Sequence, residues 1–117
     1  MTEFGSHLRA LREALQARSS RYSLRQVAGR IGVEPAYLSK VERDEVAPPS
    51  EATIVRLARE LDEDADLLLA LAGKISSDLA EIIRRRPRLF AQLIREMKAM
   101  PDHAILRIVR EVRDGDW

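Results

Sequence analysis

Apolar positions recur at helical spacing along almost the whole chain. Phe4, Leu8, Leu11 and Leu15 stand four, three and four apart and make one stripe of a first helix. The polar stretch 16–22 (QARSSRY) breaks the pattern and reads as a loop. Ser23 suits the N-cap of a second helix, with Leu24, Val27, Ala28 and Ile31 on its apolar face, and Gly32 stops it. A third helix opens at Glu34-Pro35, because proline suits a first turn; it carries Leu38 and Val41 inward and ends near Arg43. The run 44–49 (DEVAPP) is a loop, since neither proline can continue a helix. Ser50 caps a fourth helix bearing Ile54, Leu57, Ala58 and Leu61. The acids of 62–66 suit the positive end of a fifth, which runs Leu67 to Leu71 and ends at Gly73. Ser76 or Ser77 caps a sixth with Leu79, Ile82 and Ile83. Pro87 begins a seventh with Leu89, Phe90, Leu93, Ile94 and Met97. Pro101-Asp102 begins an eighth with Ile105, Ile108, Val109 and Val112, and Gly115 lies beyond its end. No useful strand alternation, internal repeat or low-complexity tract is present. The expected fold is all-α, with five helices in residues 1–73, about three in 74–117, and the boundary at Gly73-Lys74.

Composition narrows this picture. At 117 residues the chain is one domain or one and a half. Hydrophobic residues at 45% and charged residues at 33% fit a globular protein and exclude wholesale disorder. The absence of cysteine excludes disulfides, thiolate metal sites and a cysteine nucleophile. No apolar run approaches the ~18 residues of a membrane span. Residues 1–10 lack the apolar core of a secretory signal, so the expected location is the cytoplasm. The formal net charge is only +1, but it is unevenly spread: +2 over residues 1–61, −4 over 62–73 and +3 over 74–117. Charge alone therefore does not point to nucleic acid, and such a reading needs a motif.

Helices two and three supply one. In 24–43 (LRQVAGRIGVEPAYLSKVER), Ala28, Gly32, Leu38 and Val41 fall at spacings of four, six and three. A small residue at 28 lets helix three cross helix two closely. Gly32 tolerates the positive φ expected at the turn. Val27, Ile31, Leu38 and Val41 close the space between the helices, which leaves the outer face of helix three free to enter a major groove. The segment resembles the phage-repressor and Cro type of helix-turn-helix regulator, often called XRE-like, over residues 4 to about 72. Residues 8–13 (LRALRE) are similar to that family's first helix, 32–43 (GVEPAYLSKVER) to its turn and recognition helix, and Pro49-Ser50-Glu51 with Ile54 and Leu57 to its fourth.

That resemblance implies a small, sequence-specific, DNA-binding regulator, most simply a repressor. It would be a homodimer on a near-palindromic operator, because one such motif reads only a few base pairs. Helix three would present Pro35, Ala36, Ser39, Lys40 and Arg43 to double-stranded DNA. Lys40 can donate to guanine and Ala36 can touch a thymine methyl, while Ser39 discriminates less. Arg25 and Arg43 match phosphate-holding positions. Arg12 and Glu42 match a pair that bridges helix one to helix three in relatives. The loop after helix one is longer than usual, and its Arg18 and Arg21 can add backbone contacts. The loop after helix three begins with Asp44 and Glu45 where the family usually has glycine and basic residues, which weighs against phosphate contacts from it.

Plainer readings stand beside these. Lys40 and Arg43 can be a solvated helix face, and Tyr37 can pack against Val41 with its hydroxyl still in reach of a phosphate. The run Arg84-Arg85-Arg86-Pro87-Arg88 reads as a solvated helix end or as a second contact for DNA or a partner. His7 and His103 lack ligand spacing, and the acids of 62–66 lack the glycine and closing glutamate of a calcium loop. No phosphate-binding loop, dinucleotide fingerprint or nucleophile elbow occurs, so no metal, cofactor or enzymatic activity is expected. Within 74–117, the fourteen large apolar residues of 79–112 exceed what three short helices bury. They imply a homodimer interface there or, in an antitoxin or immunity-type regulator, a surface for a partner protein.

Overall fold

Amphipathic stripes bounded by caps, prolines and left-handed stops leave this chain no regular choice but short helices. The computed structural model describes residues 3–115, and among them there is no strand. The order is α1 (Phe4–Gln16), a 3-10 turn (Ser20–Tyr22), α2 (Leu24–Ile31), α3 (Pro35–Glu42), α4 (Glu51–Glu60), α5 (Ala65–Leu71), α6 (Ser77–Arg85), α7 (Pro87–Met97) and α8 (Asp102–Asp114). The chain divides into two compact units, residues 1–76 and 77–117.

In the first unit, α2 to α5 all end the same way. The amide two residues past the last turn donates back across it: Val33 to the Ala28 carbonyl, Glu45 to Lys40, Glu63 to Ala58 and Lys74 to Leu69, at 2.8–3.0 Å. Each needs a left-handed residue at the stop. Gly32 and Gly73 supply it at φ 77° and 74°, and Asp44 and Asp62 at 57° and 52°. Aspartate tolerates this region better than most side chains. The start signals are as local: the Ser23 and Ser50 hydroxyls accept from the amides of Gln26 and Thr53, and Asp64 accepts from Asp66.

Phe4 and Leu8 of α1 meet Val27, Ala28 and Ile31 of α2, Leu38 and Val41 of α3, Ile54, Leu57 and Ala58 of α4, Leu61, and Leu68 and Leu69 of α5 in one core. The first turn of α1 runs hard against the end of α3. Glu3, at its N-cap, makes no side-chain capping bond. Instead the Gly5 amide donates to Asp44 Oδ1 at 3.1 Å, across 39 residues of sequence. A Cβ on Gly5 would strike the Val41 carbonyl and that carboxylate.

Two boundaries differ from the sequence reading. Within 16–22, α1 keeps Gln16, and the Ser19 hydroxyl accepts from Arg21 to start the 3-10 turn. α5 begins at Ala65, because Asp64 is its cap. α6 begins at Ser77, which puts Ser76, one of the two expected caps, immediately before it. In the second unit no residue of α6, α7 or α8 is buried. Leu89, Ile94, Leu106, Val109 and Val112 are each at least half exposed there. No helix among the described residues is long and apolar enough to cross a membrane.

Two glycine substitutions test the close approach of α1 to α3. Gly5→Ala is expected to cost about 1–3 kcal/mol, since the neighbouring backbone must give way. Gly29→Ala, in open space on α2, is expected to add about 0.5–1 kcal/mol through helix propensity. Urea unfolding midpoints check both; a neutral Gly5→Ala would contradict the packing.

Candidate nucleic-acid interface

The α2–turn–α3 segment sets which side chains face outward. Ala28, Val27 and Ile31 are buried, Gly32 reverses the chain, and Pro35 starts α3 at its first helical position. Leu38 and Val41 then anchor α3 from behind. Ala36, Ser39, Lys40 and Arg43 fall on the opposite side by helical periodicity. Ala36, Lys40 and Arg43 are exposed, while Pro35 and Ser39 are half-buried. Tyr37 is 36% exposed, partly covered and still reachable from outside. Arg25 is exposed in the first turn of α2. Arg43 lies one residue past α3, and its guanidinium donates to Glu45 Oε2 at 3.0 Å. A cleft of about 150 Å³ opens beside this face, lined by Arg9, Arg12, Leu24, Ser39, Glu42 and Arg43.

Behind the face, Arg12 of α1 grips Glu42 of α3 through two bonds, Nε to Oε2 at 2.6 Å and Nη2 to Oε1 at 2.9 Å. Their side chains are only 7% and 4% exposed. Arg12 Nη1 also donates to Gln16 Oε1 at 3.0 Å and to the Tyr22 carbonyl at 3.2 Å. One guanidinium therefore ties α1, the 3-10 turn and α3 together. The hydrogen bond to Glu42 raises the Arg12 pKa more than burial lowers it. A base with a raised pKa contributes its stability below its ordinary value and loses it only above the raised one, here in strong alkali. This lock does not open by Arg12 titration near neutrality.

The sequence reading missed three parts of this arrangement. Arg30 of α2 donates to Glu60 Oε2 at 2.6 Å and to the Arg21 carbonyl at 2.7 Å, with Tyr22 under its guanidinium at 5.8 Å. Its carboxylate partner lies 30 residues away, so no local spacing announces it. Gly5 with Asp44 is equally non-local. His7 also has an acidic neighbour after all: Glu63 Oε2 is 3.3 Å from its Nε2.

Comparison with known proteins agrees with this geometry. Residues 3–71 match the helix-turn-helix domain family, and the chain belongs to that family. It is 35% identical over 82 residues to an uncharacterised HTH-type transcriptional regulator of Bacillus subtilis, RghRB. That match takes in 70% of this chain and 55% of the relative, so the chain spans about half the length of the curated protein it matches. No solved structure matches it.

Breaking the lock from either side leaves a lone buried charge, which costs about 3–5 kcal/mol. Arg12→Met and Glu42→Gln are each expected to lower the Tm with no DNA present. The double variant Arg12→Met/Glu42→Met is expected to recover much of the loss, because an apolar pair of similar volume replaces the ion pair. Calorimetry of the three chains decides; unchanged melting in both single variants would contradict the lock.

Proposed function

We propose that this chain is a sequence-specific DNA-binding transcriptional regulator that acts as a dimeric repressor on a near-palindromic operator. The observation that carries the reading is the outer face of α3: Ala36, Lys40 and Arg43 are exposed while Leu38, Val41 and Glu42 fix the helix from behind. In the major groove, Lys40 donates to guanine O6 and N7, Ala36 meets a thymine methyl, and Pro35 and Ser39 lie against the same base edges. Arg25, Tyr37 and Arg43 hold phosphates and set the register. Repression follows from occlusion of a promoter.

The second unit supplies the dimer contact in this reading. Its helices bury nothing fully by themselves, and a self-complementary surface about a two-fold axis would cover their apolar faces. The same exposed faces favour a second reading, an antitoxin or immunity-type regulator in which they hold a partner protein.

Base readout and phosphate contact separate in mutants. Lys40→Ala is expected to cost about 1–3 kcal/mol on the preferred site and to flatten preference at one guanine. Arg25→Ala is expected to weaken all sequences alike and to reduce the salt slope by about 0.9. Unchanged base preference in Lys40→Ala would reject the assignment of that face.

Light scattering tests the assembly. The full chain is expected to be a dimer at micromolar concentration, and a chain ending at Ser76 a monomer. A monomeric full chain, or an equally dimeric truncation, would contradict the dimer reading; a monomeric full chain that co-purifies in fixed ratio with the product of a neighbouring gene would favour the second.

A further inference from the structure

The first unit is poorly equipped to hold a polyanion. Residues 1–76 carry eleven Lys/Arg against twelve Asp/Glu, a net charge of −1. Four of those cations are ion-paired within the unit: Arg9 with Glu13, Arg12 with Glu42, Arg30 with Glu60 and Arg43 with Glu45. Arg43 belongs to the face assigned to DNA, and its acidic partner belongs to a loop that holds no base before Arg56. DNA affinity of the non-specific kind is almost wholly phosphate neutralisation, so this unit alone starts at a disadvantage.

Residues 77–117 carry nine Lys/Arg against seven Asp/Glu, and four of the nine lie within 84–88, where there is no acid. Arg84 donates to Glu81 at 3.1 Å. Arg85, Arg86 and Arg88 are exposed and have no carboxylate partner among the described residues. Favourable helix-end electrostatics explain only part of this run. Arg84 and Arg85 close α6, where cations oppose the negative end of the dipole. Arg86 stands between the two helix ends, directly after α6 and at the N-cap of α7, while Arg88 lies in the first turn of α7, at its positive end, where a cation is disfavoured. Arg88 therefore gains nothing from its own helix end, and an external anion would favour it.

We propose that Arg85, Arg86 and Arg88, at the α6–α7 corner, are a second DNA contact that holds backbone phosphates without reading bases. The proposal rests on the DNA-binding reading above and adds a grip outside the helix-turn-helix. Duplex DNA is the occupant that fits: it offers regularly spaced phosphates to exposed, unpaired guanidinium groups, and the same chain's reading helix sits on a net-negative unit.

The test is binding of the full-length chain to a short random-sequence duplex by fluorescence anisotropy, from about 50 to 200 mM salt. For R85Q/R86Q/R88Q, the slope of log affinity against log salt is expected to shrink by about 0.9 for each phosphate that the variant no longer neutralises. The charge-preserving R85K/R86K/R88K is expected to keep the wild-type slope. Circular dichroism and light scattering of the glutamine variant are expected to match wild type. A wild-type chain that binds the duplex alongside a glutamine variant with the same slope would overturn this inference alone and leave the corner to an acidic protein partner. An equal loss in the lysine variant would also overturn it, since phosphate neutralisation depends on charge. A wild-type chain that binds no duplex at low salt would overturn the DNA-binding reading and this proposal with it.

Discussion

A guanidinium taken out of water has to be neutralised where it stands, and in this protein that requirement falls on Arg12. Its buried counter-charge is Glu42, at the last position of α3. The planar fork satisfies both carboxylate oxygens, and its third nitrogen reaches the 3-10 turn. Buried pairs of this kind are weak evidence for stability, because desolvation offsets most of the attraction. Their effect is geometric. A turned or shifted α3 would strand two charges in a site with little water. Leu38 and Val41 alone would tolerate some sliding; the bidentate pair does not.

The same end of α3 is clamped from other directions. Gly5 lets α1 approach so closely that the Val41 carbonyl and the Asp44 carboxylate take up the space of a side chain. Asp44 serves twice, as the left-handed stop after α3 and as the acceptor for the first turn of α1. Glycine at that position would make the stop easier but would leave the Gly5 amide without this acceptor. The acid that departs from the family's usual glycine thus has a structural use, and its cost is negative charge beside the exposed face of α3.

Most of the helices were legible in the sequence because their signals are local. Ser23, Ser50, Pro35, Pro87, Gly32 and Gly73 each announce a start or stop within a turn of where it occurs. The face of α3 was legible for the same reason, since Leu38 and Val41 set the phase of everything between them. What stayed hidden needs two distant segments at once: Gly5 with Asp44, Arg30 with Glu60, His7 with Glu63. The Arg12–Glu42 pair would have stayed hidden too, had the resemblance to repressor-type regulators not suggested it. Asp44 and Asp62 as left-handed stops were missed because aspartate carries no such signal as strongly as glycine does.

Charge differs between the two units. The first unit is slightly negative and the second unit positive, so in the proposed reading specificity and bulk attraction need not reside in the same residues. Recognition by α3 in a major groove remains the claim on which the rest stands, and guanine N7 methylation footprinting tests it most directly. On a duplex enriched from a random pool by the full-length chain, protection is expected at guanines in two symmetric half-sites about one helical turn apart. Bound DNA with every guanine N7 still reactive would contradict the account.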